Sequence, residues 1–78
     1  MFDYNNLKNS YIATIHMGLV SNVRYEEAKR GNDLLHKFCE HCIDMSNYNE
    51  IEKQRMKLDL EIVKDMLSKE IEQYFHRV

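Results

Sequence analysis

The sequence of 78 residues contains no proline and no tryptophan, and it has only two glycines and two cysteines. Proline and glycine interrupt regular structure most effectively, so their scarcity leaves few positions where a helix must end. No alternating run of β-branched residues is bounded by turn residues, which argues against strands. The closely spaced cysteines do not form the framework of a disulfide-stabilised secreted domain. These scarcities predict a small all-α protein in a reducing compartment.

The sequence also lacks an excess of one charge and any long apolar run. Eleven Lys and Arg residues face thirteen Asp and Glu residues, whereas a dedicated nucleic-acid binder normally carries a basic excess. The most apolar stretch, residues 11–20, is far shorter than the roughly 20 residues that a bilayer requires. Residues 1–6 lack the pattern of a secretory signal. We therefore expect a cytoplasmic protein that neither enters a membrane nor binds nucleic acid.

Periodicity and capping residues predict three helices at about residues 4–20, 23–45 and 48–76, packed as a small antiparallel bundle in one domain covering residues 1–78. Asp3 fits the N-cap of the first helix, and Asn47 with Glu50 resembles a capping box before the third. Gly31 leaves two alternatives for the second helix. It either permits close helix packing within a continuous helix, or it breaks the helix so that Asp33 caps a fourth one.

Each predicted helix has one apolar face at three- and four-residue spacing. The face of the first helix consists of Tyr4, Leu7, Tyr11, Ile12, Ile15 and Leu19. That of the second consists of Tyr25, Ala28, Leu35, Phe38, Cys39, Cys42 and Met45. That of the third consists of Met56, Leu60, Val63, Leu67, Ile71 and Tyr74. Opposite this last face we expect a solvated ridge of Lys53, Lys57, Glu61, Lys64, Ser68 and Glu72.

The third helix carries a second apolar line as well, at the i, i+7, i+11 spacing of Ile51, Leu58 and Ile62. Either the first two helices cover both lines, or another chain covers the second. About 27 helical residues span about 40 Å, whereas a compact domain of this size is roughly 30 Å across. We therefore expect the C-terminal tip of this helix to project and to need a partner, because it carries Ile71, Tyr74 and Phe75.

The segment from His36 to Cys42 is the one stretch whose residues indicate metal chemistry. On a helix, His36, Cys39 and Cys42 share a face and offer three ligands to zinc. The favoured interpretation is that both cysteines act as small apolar core residues, because no second ligand pair follows them. We therefore expect no cofactor, and a metal-stabilised fold through these three residues is an alternative.

Catalysis is not expected, because the sequence has no phosphate-binding glycine loop, nucleophile elbow or paired-histidine zinc motif. A nucleic-acid-binding regulator is a further alternative, and it would use Lys53, Lys57 and Lys64. Glu61 and Glu72 interleave with these lysines, so a solvated face is the favoured interpretation of the ridge.

The excess apolar surface and the missing catalytic motifs favour a non-enzymatic protein-interaction module. It would be a small regulator, adaptor or inhibitor that binds a larger protein, and it would itself form a homodimer. Asn, Lys, Ile and Tyr are abundant, which is typical of proteins from AT-rich genomes. We therefore expect, more specifically, a phage or mobile-element product that acts on a host protein. The predicted anchors are Ile51, Leu58, Ile62, Ile71, Tyr74 and Phe75.

Overall fold

The computed structural model describes residues 2–76. They form three helices, α1 (Tyr4–Val20), α2 (Tyr25–Asp44) and α3 (Glu50–Phe75), and no strand occurs within this range. Each helix packs against the other two. The predicted all-α three-helix bundle is therefore confirmed.

The ends of α1 follow directly from local chemistry. The Asp3 carboxylate accepts a hydrogen bond from the backbone N–H of Asn5 at 2.9 Å, as predicted for an N-cap. At the other end Asn22 adopts a left-handed φ of 64°, which asparagine tolerates better than most residues. The backbone N–H of Val23 then donates to the carbonyl of Gly18 at 3.3 Å, as in a Schellman motif. This motif turns the chain back toward α2.

Helix α2 is continuous through Gly31, so the four-helix alternative is wrong. A methyl group built on Gly31 would meet nothing within 4 Å. This glycine is therefore not needed for close helix packing either. The helix begins after Arg24, whose backbone N–H donates to the Glu27 carboxylate at 3.2 Å.

Helix α3 begins two residues later than predicted. Its N-cap is Asn49, which accepts a hydrogen bond from the backbone N–H of Glu52 at 2.9 Å. The proposed capping box of Asn47 with Glu50 is wrong, although the same Asn-x-x-Glu spacing recurs at Asn49 and Glu52.

The core joins the predicted stripes of α1 and α3 to a rotated face of α2. The buried apolar side chains are Tyr11, Ile15, Leu19, Ala28, Cys39, Ile43, Leu60, Val63, Leu67 and Ile71. On α2 the prediction was partly wrong, because Phe38 and Met45 are 57% and 73% exposed. Asn32 and His36 are buried there instead. The face of α2 that meets the core is therefore partly polar.

The bundle measures 45 × 19 × 16 Å, and this elongation overturns the expectation of a projecting C-terminal tip. Ile71 is only 1% exposed, and Tyr74 and Phe75 pack against the core. The ring of Phe75 lies 5.5 Å from that of Tyr25, at the start of α2. The expectation assumed a spherical domain, whereas the neighbouring helices run alongside α3 to its end.

Candidate functional site

One side of α3 presents a line of large apolar side chains that the bundle leaves uncovered. Ile51, Leu58 and Ile62 are 68%, 66% and 68% exposed, and Met66 continues the line with less exposure. We call these four residues the outer face of α3. The sequence left open whether the first two helices or another chain would cover this second apolar line. Cover by the first two helices is wrong, because the line is exposed.

Charged residues border the outer face of α3 on both sides. At 100° per residue, Arg55 and Asp65 fall about 40° to either side of the line through Ile51, Leu58 and Ile62. Both are exposed, and neither takes part in any of the ion pairs found among residues 2–76. The line through Ile51, Leu58 and Ile62 therefore has an unpaired positive group on one side and an unpaired negative group on the other, and the exposed Lys69 follows on the same line toward the C-terminal end of α3.

The lysine ridge of α3 faces α2 rather than solvent. The ammonium group of Lys57 lies 2.5 Å from the Asp44 carboxylate, and that of Lys64 lies 3.2 Å from the Asp33 carboxylate. Lys53 donates to the backbone carbonyl of Asp44 at 2.9 Å. The expected solvated ridge was wrong for these three lysines. Since each contacts an acidic group or a carbonyl of α2, they do not form a free cationic surface for phosphate groups.

A buried polar cluster joins all three helices near the middle of the bundle. Asn32 is 2% exposed, and its side-chain carbonyl accepts a hydrogen bond from the Tyr11 hydroxyl. Its amide group donates to the backbone carbonyl of Lys64 at 3.2 Å and to the Ser68 hydroxyl at 3.0 Å. Burial raises the pKa of Tyr11 above its ordinary value, so this hydroxyl stays protonated and can donate. This cluster was not predicted from the sequence.

One helical turn beyond Asn32, His36 lies between two carboxylates. It is 4% exposed. Its Nδ1 atom lies 3.6 Å from an oxygen of Glu40 on the same helix, and its Nε2 atom lies 3.2 Å from an oxygen of Glu61 on α3. Glu61 was predicted to lie on a solvated ridge, so its position beside His36 was not expected. Only the four-residue spacing of His36 and Glu40 could have indicated part of it.

The two cysteines occupy different environments, and both are free thiols. Cys39 is buried in the core, and burial raises its pKa to about 11. A thiol must lose its proton to bind zinc, so this environment disfavours Cys39 as a ligand. Cys42 is half-buried. Within residues 2–76, the residues whose ligand atoms lie close enough to those of His36 to share one metal ion are Glu40 and Glu61. Neither cysteine belongs to this group.

Two depressions between α1 and α2 have volumes of about 130 and 190 Å³. They are lined mainly by apolar side chains and by Gly18 and Gly31. Pockets for small-molecule ligands typically measure about 300–1,000 Å³. These two depressions are therefore too small to indicate a substrate site.

Comparison of the chain with protein-family models, with curated proteins and with solved structures found no match. Among the described residues, no helix combines the length and the apolar character needed to cross a bilayer.

Proposed function

We propose that this protein is a non-enzymatic protein-interaction module that binds through the outer face of α3. The observation that carries the proposal is the exposure of Ile51, Leu58 and Ile62, each about two-thirds accessible on one side of a rigid helix. Several large apolar side chains exposed on one side of a helix and bordered by charged groups are typical of protein-binding sites.

The free energy available from this face limits the kind of partner. Complete burial of an Ile or Leu side chain is worth about 1.5–3 kcal/mol, so covering these partly exposed chains gains roughly 1–2 kcal/mol each. Three of them therefore gain about 3–6 kcal/mol, whereas association costs about 4–15 kcal/mol. A partner that contributes an equal apolar surface doubles the gain. The partner that fits is a helix with its own exposed apolar line.

A second copy of this chain has that surface. Two outer faces can pair in antiparallel orientation with Leu58 of each copy opposite Ile62 of the other. The two-fold axis then passes between the two helices at the height of residue 60. The same register brings Arg55 of each copy to the height of Asp65 of the other. Because a two-fold axis places each border of the face against the same border of the other copy, these two groups lie diagonally across the apolar line. The contact of Leu58 with Ile62, made twice, favours such a dimer.

The test is sedimentation velocity over a range of protein concentrations for the wild type and the variants Leu58→Asp and Ile62→Asp. The matched control is Leu34→Asp, because Leu34 on α2 is similarly exposed at 58%. We expect the first two variants to remain monomeric at concentrations where the wild type and the control form dimers.

Binding to a larger host protein is tested separately from dimer formation. This test is affinity capture from the native host with the same variants. We infer that this module regulates or inhibits a host protein in the cytoplasm, as a product of a phage or mobile element. Two free cysteines support a reducing compartment. If Leu58→Asp and Ile62→Asp leave both dimer formation and specific capture unchanged, the outer face of α3 is not the binding surface and the proposal fails.

A further inference from the structure

The side chain of His36 is almost fully buried, yet one of its ring nitrogens lacks a hydrogen bond. Among residues 2–76, Nε2 of His36 is buried without a hydrogen-bond partner. The nearest carboxylate oxygen, on Glu61, is 3.2 Å away but not aligned for a hydrogen bond. Buried polar groups in proteins are almost always satisfied. Asn32, one turn earlier on the same helix, is fully satisfied.

The groups around His36 are of chemical types that bind metal ions. One ligand atom each from His36, Glu40 and Glu61 can be chosen so that all three lie within 4.8 Å of one another. Ligands bound to one zinc ion at about 2.1 Å in tetrahedral geometry lie about 3.4 Å apart. Glu40 is half-buried and Glu61 is exposed, so both carboxylates have room to move inward by the remaining distance. His36 is held by the core and fixes the inner ligand position.

The ligand types narrow the choice of ion. An imidazole nitrogen with two carboxylate oxygens suits zinc and related first-row transition metals. Magnesium and calcium prefer all-oxygen sites. Since Glu61 lies on the solvent side, a water molecule can complete a fourth position there. We propose that His36, Glu40 and Glu61 form a binding site for a divalent transition-metal ion of the zinc type, between α2 and α3.

This site does not overlap the outer face of α3. It also differs from the site of His36, Cys39 and Cys42 that the sequence offered as an alternative. It joins two helices, since His36 and Glu40 belong to α2 and Glu61 belongs to α3. An ion bound there stabilises the folded state over the unfolded one, because the three ligands meet only after folding. Metal binding therefore raises the melting temperature of the bundle.

The test titrates metal-free protein with Zn²⁺ in a calorimeter and with Co²⁺ in an absorption spectrometer. The main variant is Glu61→Gln, because Glu61 is exposed and its replacement leaves the core intact. Matched controls are His41→Ala, which removes an exposed histidine of α2, and Cys42→Ser, which removes the accessible thiol. Circular dichroism confirms that each variant remains folded.

We expect the wild type to bind one Zn²⁺ per chain and to melt at a higher temperature in its presence. Glu61→Gln should weaken binding by more than about tenfold, since even outer contacts of metal sites contribute about 10–100-fold. His41→Ala and Cys42→Ser should bind as the wild type does, and Co²⁺ should give no thiolate charge-transfer band.

Two results would overturn the proposal. The first is equal binding, or none, in the wild type and Glu61→Gln, which would leave His36 as a buried group paired only with its two carboxylates. The second is loss of binding in Cys42→Ser together with a thiolate band, which would assign the ion to the cysteines. Neither result bears on dimer formation through α3, so the two proposals fail separately.

Discussion

Replacement of Tyr11 by Phe tests whether the buried polar cluster stabilises the bundle. The change removes one hydroxyl group and leaves the side-chain carbonyl of Asn32 buried without its donor. An unsatisfied buried acceptor costs about 1–3 kcal/mol. A domain of this length has roughly 4–12 kcal/mol of stability in total. The expected loss is therefore a large fraction of the free energy of unfolding, equivalent to about 4–8 °C in melting temperature per kcal/mol.

The assay is urea denaturation at neutral pH followed by far-UV circular dichroism. A lower midpoint with an unchanged m-value indicates lost stability rather than a changed unfolded state. Ser68→Ala should cost less, about 0.5–1.5 kcal/mol, because Ser68 is only half-buried, so water can replace its hydroxyl as the acceptor of the second Asn32 N–H.

Tyr25→Phe is the matched control, since its hydroxyl bonds to Glu72 at the surface and its removal leaves no buried group unsatisfied. The reasoning is refuted if Tyr11→Phe costs less than about 0.5 kcal/mol or no more than this control.

Three further measurements check the core, the acid response and the thiols. Ile71→Ala should lose about 2–5 kcal/mol of stability, because this side chain is buried. Ile62→Ala on the outer face should lose less than about 0.5 kcal/mol. A larger loss in Ile62→Ala than in Ile71→Ala would indicate that Ile71 lies on a projecting tip after all. A hydrogen bond from α1 holds the pKa of Asp59 below its ordinary value. Its contribution to stability is therefore present at neutral pH and lost as pH falls through the depressed folded pKa. Melting curves below about pH 4 should show less acid sensitivity in Asp59→Asn, and unchanged sensitivity would contradict this. A disulfide reagent at mildly alkaline pH should modify Cys42 in the folded protein and Cys39 only on unfolding, because burial raises the pKa of Cys39 to about 11; equal rates would argue against its burial.

The sequence was sufficient to predict the helices and two of the three core faces. The core residues of α1 and α3 are large and apolar at regular spacing, so periodicity alone identifies them. Asp3 was recognisable as a cap because it immediately precedes the first apolar residue. The cap of α3 was harder, since Asn47 and Asn49 offer the same chemistry two residues apart.

The face of α2 was not predictable from apolar spacing because two of its buried residues are polar. Ala28, Asn32, His36, Cys39 and Ile43 follow one another at steps of four, four, three and four residues. A ranking by hydrophobicity placed Phe38 and Met45 inside instead. Polar side chains are buried where other elements supply partners. Those partners, such as Ser68 and Glu61, lie on α3 and become neighbours only in the folded chain.

The candidate surface on α3 was predicted in part. The exposure of Ile51, Leu58 and Ile62 follows from their place on the helix, away from the main stripe. The assignment of Ile71, Tyr74 and Phe75 to a projecting tip depended on the shape of the whole bundle. A length-to-volume estimate assumes a sphere, whereas the three helices pack side by side into an elongated bundle.

The two sides of α3 also differ in their polar contacts with the other helices. Apolar stripes alone allow a helix to slip by one turn, whereas specific polar pairs fix one register. On its inner and flanking sides, Asp59 accepts a hydrogen bond from Tyr4 of α1 at 2.5 Å, and Lys64 pairs with Asp33 of α2. Arg55 and Asp65 border the outer face, and neither forms an ion pair among residues 2–76. Charges that do not fix the register of the monomer remain available to fix the register of a complex.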